Sequence, residues 1–324
     1  MHTEAPERMK TSVVLNWLCC VVLAGFVCSC GSSFRFPAEV VRLVLPRTGS
    51  EIVGEVQLPA RRTFAPVPLV VLVDDGPPID IDPRRTQADQ IQQLQATLVS
   101  NGYAVWRPLR DAWPSDSLVV RCPDKLTSQV LLGFLSARNI RGIDTARVVF
   151  LGFGQGGVIA ALAAERSAGR VHALGLVNTP ARSVDRTLLS GTFRDSVNLR
   201  RLEQFFDDIW TDKYNDSDFV MNGRVECWRS WVVLSGEMTD RVARLSVPTL
   251  AVQGTADSLL PLLDIERFRR AIGRRQLSQV HTAVGLRHDL RDEIPDPGQD
   301  KKAISPRFVS IVLEWLKLVA PPAG

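Results

Sequence analysis

Short apolar runs alternate with segments whose apolar residues recur every three or four positions, and this alternation restricts the fold more than any other feature. Pro68 to Val73, Val148 to Leu151 and Pro248 to Val252 read as buried strands, and Tyr103 to Trp106, Ala173 to Val177 and Gln279 to Val284 as further strands. Between them, Ala88, Ile91, Leu94 and Leu98 mark a helix that Gly102 stops. Leu126, Val130, Leu131, Phe134 and Leu135 mark a second helix, with Asp124 expected as its N-cap. Helices are also expected over Val158 to Ala164 and Ile265 to Ile272. Ser305-Pro306 predicts the start of a last helix bearing Phe308, Ile311, Val312, Trp315 and Leu316. Strand–helix alternation implies an α/β fold with a mostly parallel central sheet and helices on both faces. Ahead of it, Glu39 to Leu45 and Glu51 to Leu58 flank Arg47-Thr48-Gly49-Ser50, which predicts an antiparallel hairpin. From about 192 to 243 the alternation breaks, and the chain becomes rich in aromatics and acids.

The N-terminus carries a different signal. Thr11 to Val27 is nearly all apolar, too short for a comfortable membrane span and suited to a signal-peptide core. Met9-Lys10 offers a more basic start than the residues before it. An uncleaved membrane anchor is the alternative. Val27-Cys28-Ser29-Cys30 is similar to a bacterial lipobox. That resemblance implies a signal peptide over 1–29, lipid on Cys30, a tether over 30–36 and a folded domain over 37–324. It also implies a bacterial cell-envelope protein with the membrane as partner, and outer-membrane sorting in a Gram-negative host because Gly31 is not Asp. After processing, Cys122 and Cys227 remain in an oxidising compartment, as a disulfide or as two buried thiols. A dispersed net charge of +4 gives no reason to expect a nucleic-acid partner. No cysteine spacing resembles a zinc site.

The chemistry centres on Gly152-Phe153-Gly154-Gln155-Gly156-Gly157, a sharp turn between a buried strand and a helix. It fits the G-x-S-x-G nucleophile elbow except that Gly154 stands at the centre. It also fits G-x-G-x-x-G, but a dinucleotide loop normally follows the first strand of its unit, and this turn follows several. Downstream, Asp257 lies after one buried strand and His288 after the last. The order elbow, acid, histidine is that of a Ser–His–Asp machine in which the acid orients the histidine and the histidine takes a proton.

On these motifs the chain resembles the α/β-hydrolase superfamily, near its serine aminopeptidase and small esterase branch. The resemblance rests on Val148 to Glu165, Val177-Asn178-Thr179-Pro180-Ala181-Arg182 with Leu188-Leu189, Pro248 to Pro261 and Ser305 to Leu318. It implies a helical cap over 192–243, Asp257 and His288 as acid and base, and Gly154 at the nucleophile position. It places the oxyanion hole at the N–H of Gln155 and at Asp74-Asp75, where family members carry His-Gly. Pro78, Asp80 and Asp82 keep the surrounding loop pattern. Glycine has no nucleophile, so no acyl-enzyme forms at 154. Ionised Asp74 and Asp75 would oppose developing negative charge.

Ser100, Ser117 and Ser128 lie off the elbow, and nothing marks Thr179 as activated. Asp74, Asp75, Asp80, Asp82 and Asp257 lack metal-loop spacing, so no metal or cofactor is expected. Phe205, Phe206, Trp210, Tyr214, Phe219, Trp228 and Trp231 form either a cap core or the lining of a site for a small apolar or acyl ligand. Three functions follow as expectations: a degenerate hydrolase acting in ligand or partner binding, a residual ester or amide hydrolase whose Asp257–His288 dyad activates water, and an envelope scaffold lipoprotein.

Overall fold

Every helix but one that packs on the main sheet is laid down between two of its strands. The computed structural model describes residues 39–45, 52–60, 65–74, 88–108, 120–190 and 196–322. The expected signal peptide, lipobox and tether, and with them Cys30, lie outside the described residues. Among the described residues no helix is long and apolar enough to cross a membrane.

Strands β1 (Glu39–Leu45) and β2 (Ile52–Leu58) form the expected antiparallel hairpin, with Glu39 opposite Leu58. There follow β3 (Val67–Val73), α1 (Ala88–Ser100), β4 (Ala104–Pro108), α2 (Pro123–Ala137), β5 (Ile143–Phe153), α3 (Gln155–Arg166) and β6 (Ala173–Val177). The next stretch holds α4 (Val184–Ser190), α5 (Ser196–Asp208), β7 (Phe219–Val220), β8 (Gly223–Arg224), α6 (Val225–Gly236) and α7 (Met238–Arg244). The alternation then resumes with β9 (Thr249–Gly254), α8 (Leu263–Ile272), β10 (Gln279–Ala283) and α9 (Pro306–Val319). The sheet order is β1-β2-β4-β3-β5-β6-β9-β10, with parallel pairing from β4 through β10.

Burial on both faces explains the uniform apolar runs. Along β5, Val148 and Phe150 join the core under α2, α3 and α8. Val149, Leu151 and Phe153 point the other way, into the core under α1 and α9. Phe134 of α2 meets Phe150 edge-on at 5.1 Å between ring centroids. Burial of each such side chain contributes about 1.5–3 kcal/mol. On α9, Phe308, Val312, Trp315 and Leu316 form the buried stripe, and Ser305 caps the helix by accepting from the Phe308 N–H. The sequence pattern had marked these residues.

Two local expectations are corrected. Asp124 is not the N-cap of α2. That place belongs to Cys122, because Pro123 begins the helix and has no N–H to be capped. Asp124 lies within the first turn and pairs with Arg166. β5 also begins earlier than the apolar run. Its polar start contains an irregularity, where the β3 partner jumps from Asp144 to Val148 between Pro68 and Leu69. There the Ala146 N–H and Arg147 both bond to the Asp144 carboxylate.

Within the interrupted region, Phe205, Phe206 and Trp228 pack on one another with centroid separations of 5.2–5.8 Å. With Trp231 they are buried and continue the apolar core on the α2 and α3 side of the main sheet, whereas Trp210 and Phe219 are exposed. A disulfide joins Cys122, at the start of α2, to Cys227 of α6. Nearby, Trp231 Nε1 donates to the Arg121 carbonyl over 2.7 Å. This region is thus fastened covalently and by hydrogen bonds to the α2 end of the main fold.

Candidate active site

The turn from β5 to α3 is built by close approach. A Cβ on Gly156 would lie 2.2 Å from the Val73 carbonyl oxygen and 2.3 Å from that of Asp74. One on Gly152 would lie 2.5 Å from the Gly157 Cα. Side chains at these positions would push the helix away from the strands, so both glycines are structural requirements. Gly154 itself adopts φ 52°, ψ −124°, a backbone region that L-residues enter only under strain. The turn therefore has the sharp geometry of a nucleophile elbow. The Gly154 N–H donates to the Val177 carbonyl over 2.9 Å, which fixes the turn against the end of β6.

Asp257 and His288 meet. His288 Nδ1 lies 2.9 Å from Asp257 Oδ2, with the carboxylate fully buried and the ring 12% exposed. The other carboxylate oxygen accepts from the Leu259 and Leu260 N–H groups at 2.8 and 3.1 Å. An ionised Asp257 takes the proton on Nδ1 as its hydrogen bond and leaves Nε2 as the basic nitrogen, the tautomer a general base requires.

Asn178, the first residue after β6, ties this pair to the elbow. It is buried and has φ 45°, a conformation asparagine tolerates better than most residues. Its Nδ2 donates to the carbonyls of Arg287 (3.0 Å) and His288 (3.2 Å). Its Oδ1 accepts from the Gly254 N–H at 3.0 Å, at the end of the strand that leads to Asp257. One side chain thus holds the acid loop and the histidine loop beside the strand end that receives Gly154. The stretch containing Asn178 carried the family resemblance, but no role for it was expected. An asparagine directly after a buried strand is the signal by which it could be found.

Further bonds brace the acid loop. Gln253 Nε2 donates to the carbonyls of Leu260 and Pro261. Arg182 forms a two-pronged ion pair with Asp264 at 2.9 and 3.2 Å, with Asp264 wholly buried. Burial raises the Asp264 pKa above the ordinary carboxylate value, and the Arg182 hydrogen bond and charge only partly pull it back. Beside the histidine, burial pushes the Asp289 pKa up, but the Arg291 guanidinium outweighs this and holds it below its usual value. The Arg182–Asp264 brace escaped the sequence, since its partners lie 82 residues apart in the chain.

Of the remaining candidates, Gln155 opens α3 and is buried. Asp74 presents its backbone carbonyl to the elbow. Asp75, Pro78, Asp80, Asp82 and Ser117 lie outside the described residues. Thr179 is buried, donates to the Val177 carbonyl and packs on Gly157, so its hydroxyl braces the helix. Ser100 ends α1 and bonds back to Thr97, and Ser128 is exposed on α2. Neither joins the dyad. The chemistry available is proton acceptance at His288, backed by a buried acid, in a fold whose elbow carries no hydroxyl at position 154.

The sequence matches no protein-family model and no curated protein. Solved structures are similar in fold. The chain resembles dipeptidyl peptidase 4 of Porphyromonas gingivalis with a TM-score of 0.52 and 15% identity, over 87% of this chain and 35% of that one. It resembles a carboxylesterase of Lactobacillus plantarum with a TM-score of 0.55 and 15% identity, over 88% and 99%. It resembles the acylaminoacyl peptidase of Pyrococcus horikoshii with a TM-score of 0.57 and 16% identity, over 89% and 43%. The chain therefore spans about a third of the length of the dipeptidyl peptidase and nearly all of the carboxylesterase. Its fold is the α/β-hydrolase fold.

Proposed function

We propose that this α/β-hydrolase-fold protein is a lipid-anchored binding protein of the bacterial envelope that forms no acyl-enzyme. The observation that carries this reading is Gly154, which sits at φ 52°, ψ −124° in an otherwise intact elbow and offers no atom to attack a carbonyl. Loss of the nucleophile from such a triad lowers the rate by on the order of 10⁶-fold. The retained dyad then serves recognition. A histidine hydrogen-bonded to a buried acid, in a fold whose α3 starts directly at the elbow, suits a ligand or partner segment with both a hydrogen-bond donor and a carbonyl or carboxylate. The similarity to an esterase and to peptidases supports acyl or peptide groups as that chemistry. The anchor is Cys30, and the Cys122–Cys227 disulfide fits an oxidising compartment outside the cytosol.

The test compares wild type, His288→Ala and Gly154→Ser on short-chain aryl esters. No turnover is expected from the first two. Gly154→Ser is expected to react with a serine-directed fluorophosphonate, because it restores the nucleophile beside the retained dyad; no labelling would mean that the Asp74-Asp75 change also disables the site. A second reading rests on the 2.9 Å Asp257–His288 contact, which equips His288 to activate water. Wild-type hydrolysis that disappears in His288→Ala would establish that reading and overturn the first. The intact mass of the chain isolated from membranes tests the anchor, which is refuted if no acyl groups are found on Cys30.

A further inference from the structure

The two ends of the sheet differ in charge. The loops that lead into β5, β6, β9 and β10 cover residues 138–142, 167–172, 245–248 and 273–278. They contain Arg138, Arg141, Arg170, Arg274 and Arg275 and no acidic residue. At the opposite end, the loop after β10 mixes Asp289, Asp292, Glu293, Asp296 and Asp300 with Arg287, Arg291, Lys301 and Lys302. Arg275 is occupied, donating to the carbonyls of Val242, Ala243 and Val247 and to Thr249 Oγ1. Arg141, Arg170 and Arg274 are exposed. Among the described residues, none of these three and Arg138 pairs with a carboxylate. The acid nearest in sequence, Asp144, is taken by Arg147. The partial negative charge at the C-terminus of α8 already has Arg269 and Arg270 in its last turn, so the loop arginines are additional.

A groove of about 560 Å³ opens at this end, lined in part by Arg138, Arg170, His172 and Ser246. Arg138 Nε is buried there without a hydrogen-bond partner among the described residues. The residues lining the groove include no carboxylate.

The chain also enters the fold here. Glu39 pairs with Leu58, and the neighbouring Gln57 pairs with Val105 near the start of β4. From Ala104 the register runs through Leu69 and Val148, then Val149 to Ala173, Leu174 to Thr249 and Leu250 to Gln279. Glu39 is therefore level with the starts of the parallel strands. Eight residues lie between it and Cys30, so nine steps of chain keep a lipid on Cys30 within about 30 Å of it.

We propose that this arginine-bearing end is a membrane-facing surface that rests on anionic phospholipid headgroups, leaving the Asp257–His288 end turned away from the bilayer. Charge complementarity and the entry point of the chain select this occupant. The proposal extends the lipid-anchor reading but also holds if the apolar segment itself is the anchor. Each basic residue near an anionic membrane surface strengthens binding about fivefold.

The experiment is hydrogen exchange on the full chain, reconstituted into vesicles of phosphatidylcholine alone or mixed with phosphatidylglycerol. Exchange is expected to slow several-fold over residues 138–142, 167–172 and 273–278 in the anionic vesicles only. High salt should restore it. Arg141→Gln/Arg170→Gln/Arg274→Gln should remove the protection, and Lys301→Gln/Lys302→Gln should keep it. Equal exchange in both vesicles, protection confined to the loop after β10, or the same protection from inorganic phosphate without anionic lipid would each overturn the proposal. Acylation of Cys30, read separately by mass, leaves this result unaffected, so the two readings fail independently.

Discussion

The side chain of Asn178 holds the backbone of His288, donating to its carbonyl oxygen over 3.2 Å, while the same amide group accepts the Gly254 N–H. The histidine is thus placed by a residue from another strand end. The Asp257 contact then sets only its ring.

Asn178→Ala should therefore loosen both loops together. It leaves the Gly254 N–H and the Arg287 and His288 carbonyls short of a partner in a buried place, at a cost of about 1–3 kcal/mol. Denaturant unfolding reads this loss. In a Gly154→Ser background, fluorophosphonate labelling should slow as well. Unchanged labelling would show that Asp257 alone positions the ring.

Gly154→Ser should be less stable than wild type by about 1–3 kcal/mol, because a side chain is placed at φ 52° where glycine is relaxed. Thermal unfolding checks this. Equal or greater stability would mean that the turn relaxes when substituted.

Gly156→Ala should disturb the elbow by steric contact rather than by backbone strain. Its Cβ would meet two backbone carbonyls, of Val73 and Asp74, and neither can rotate away as a side chain can. A loss of about 1–3 kcal/mol is expected. Gly169→Ala, where the added atom meets nothing within 4 Å but φ is 78°, supplies a control for backbone strain alone.

Arg182→Ala should cost about 3–5 kcal/mol at neutral pH, since it leaves the buried Asp264 carboxylate without its counter-charge. The pH dependence has a definite sign. Burial raises the folded-state pKa of Asp264, so the folded state binds the proton more tightly than the unfolded chain. The stability this gives is present at acid pH and is lost as pH rises from the ordinary carboxylate value through the raised one. Removing Arg182 raises that pKa further. The deficit of the variant should therefore shrink on acidification, as read by urea unfolding across pH. A constant deficit would exclude Asp264 as its source.

Reduction of Cys122–Cys227, or Cys122→Ser/Cys227→Ser, should lower stability by about 2–5 kcal/mol, given the 105-residue separation it closes. Protease sites within residues 196–244 should open first, because the bridge fastens α6 to the start of α2. Cleavage elsewhere first would deny the bridge that local role.

The strands and helices of the main sheet were legible because each is specified by neighbours in the chain. Apolar runs in β3, β5, β6 and β9 reflect burial on two faces, and the stripe of α9 reflects one buried side. The elbow was legible for the same reason, since its glycines answer to contacts within one strand–turn–helix unit and the strand beside it. Asp257 and His288 could be picked out by their order, but order gives no distance. Only the assembled sheet brings β9 and β10 side by side and closes the 2.9 Å contact. The Asn178 clamp, the Arg182–Asp264 brace and the true cap of α2 depended on partners up to 110 residues away, or on a proline displacing the expected cap. Periodicity and turn chemistry act over a few residues and fix the elements. Side-chain bonds between strand ends act across the fold, and they determine where the histidine stands.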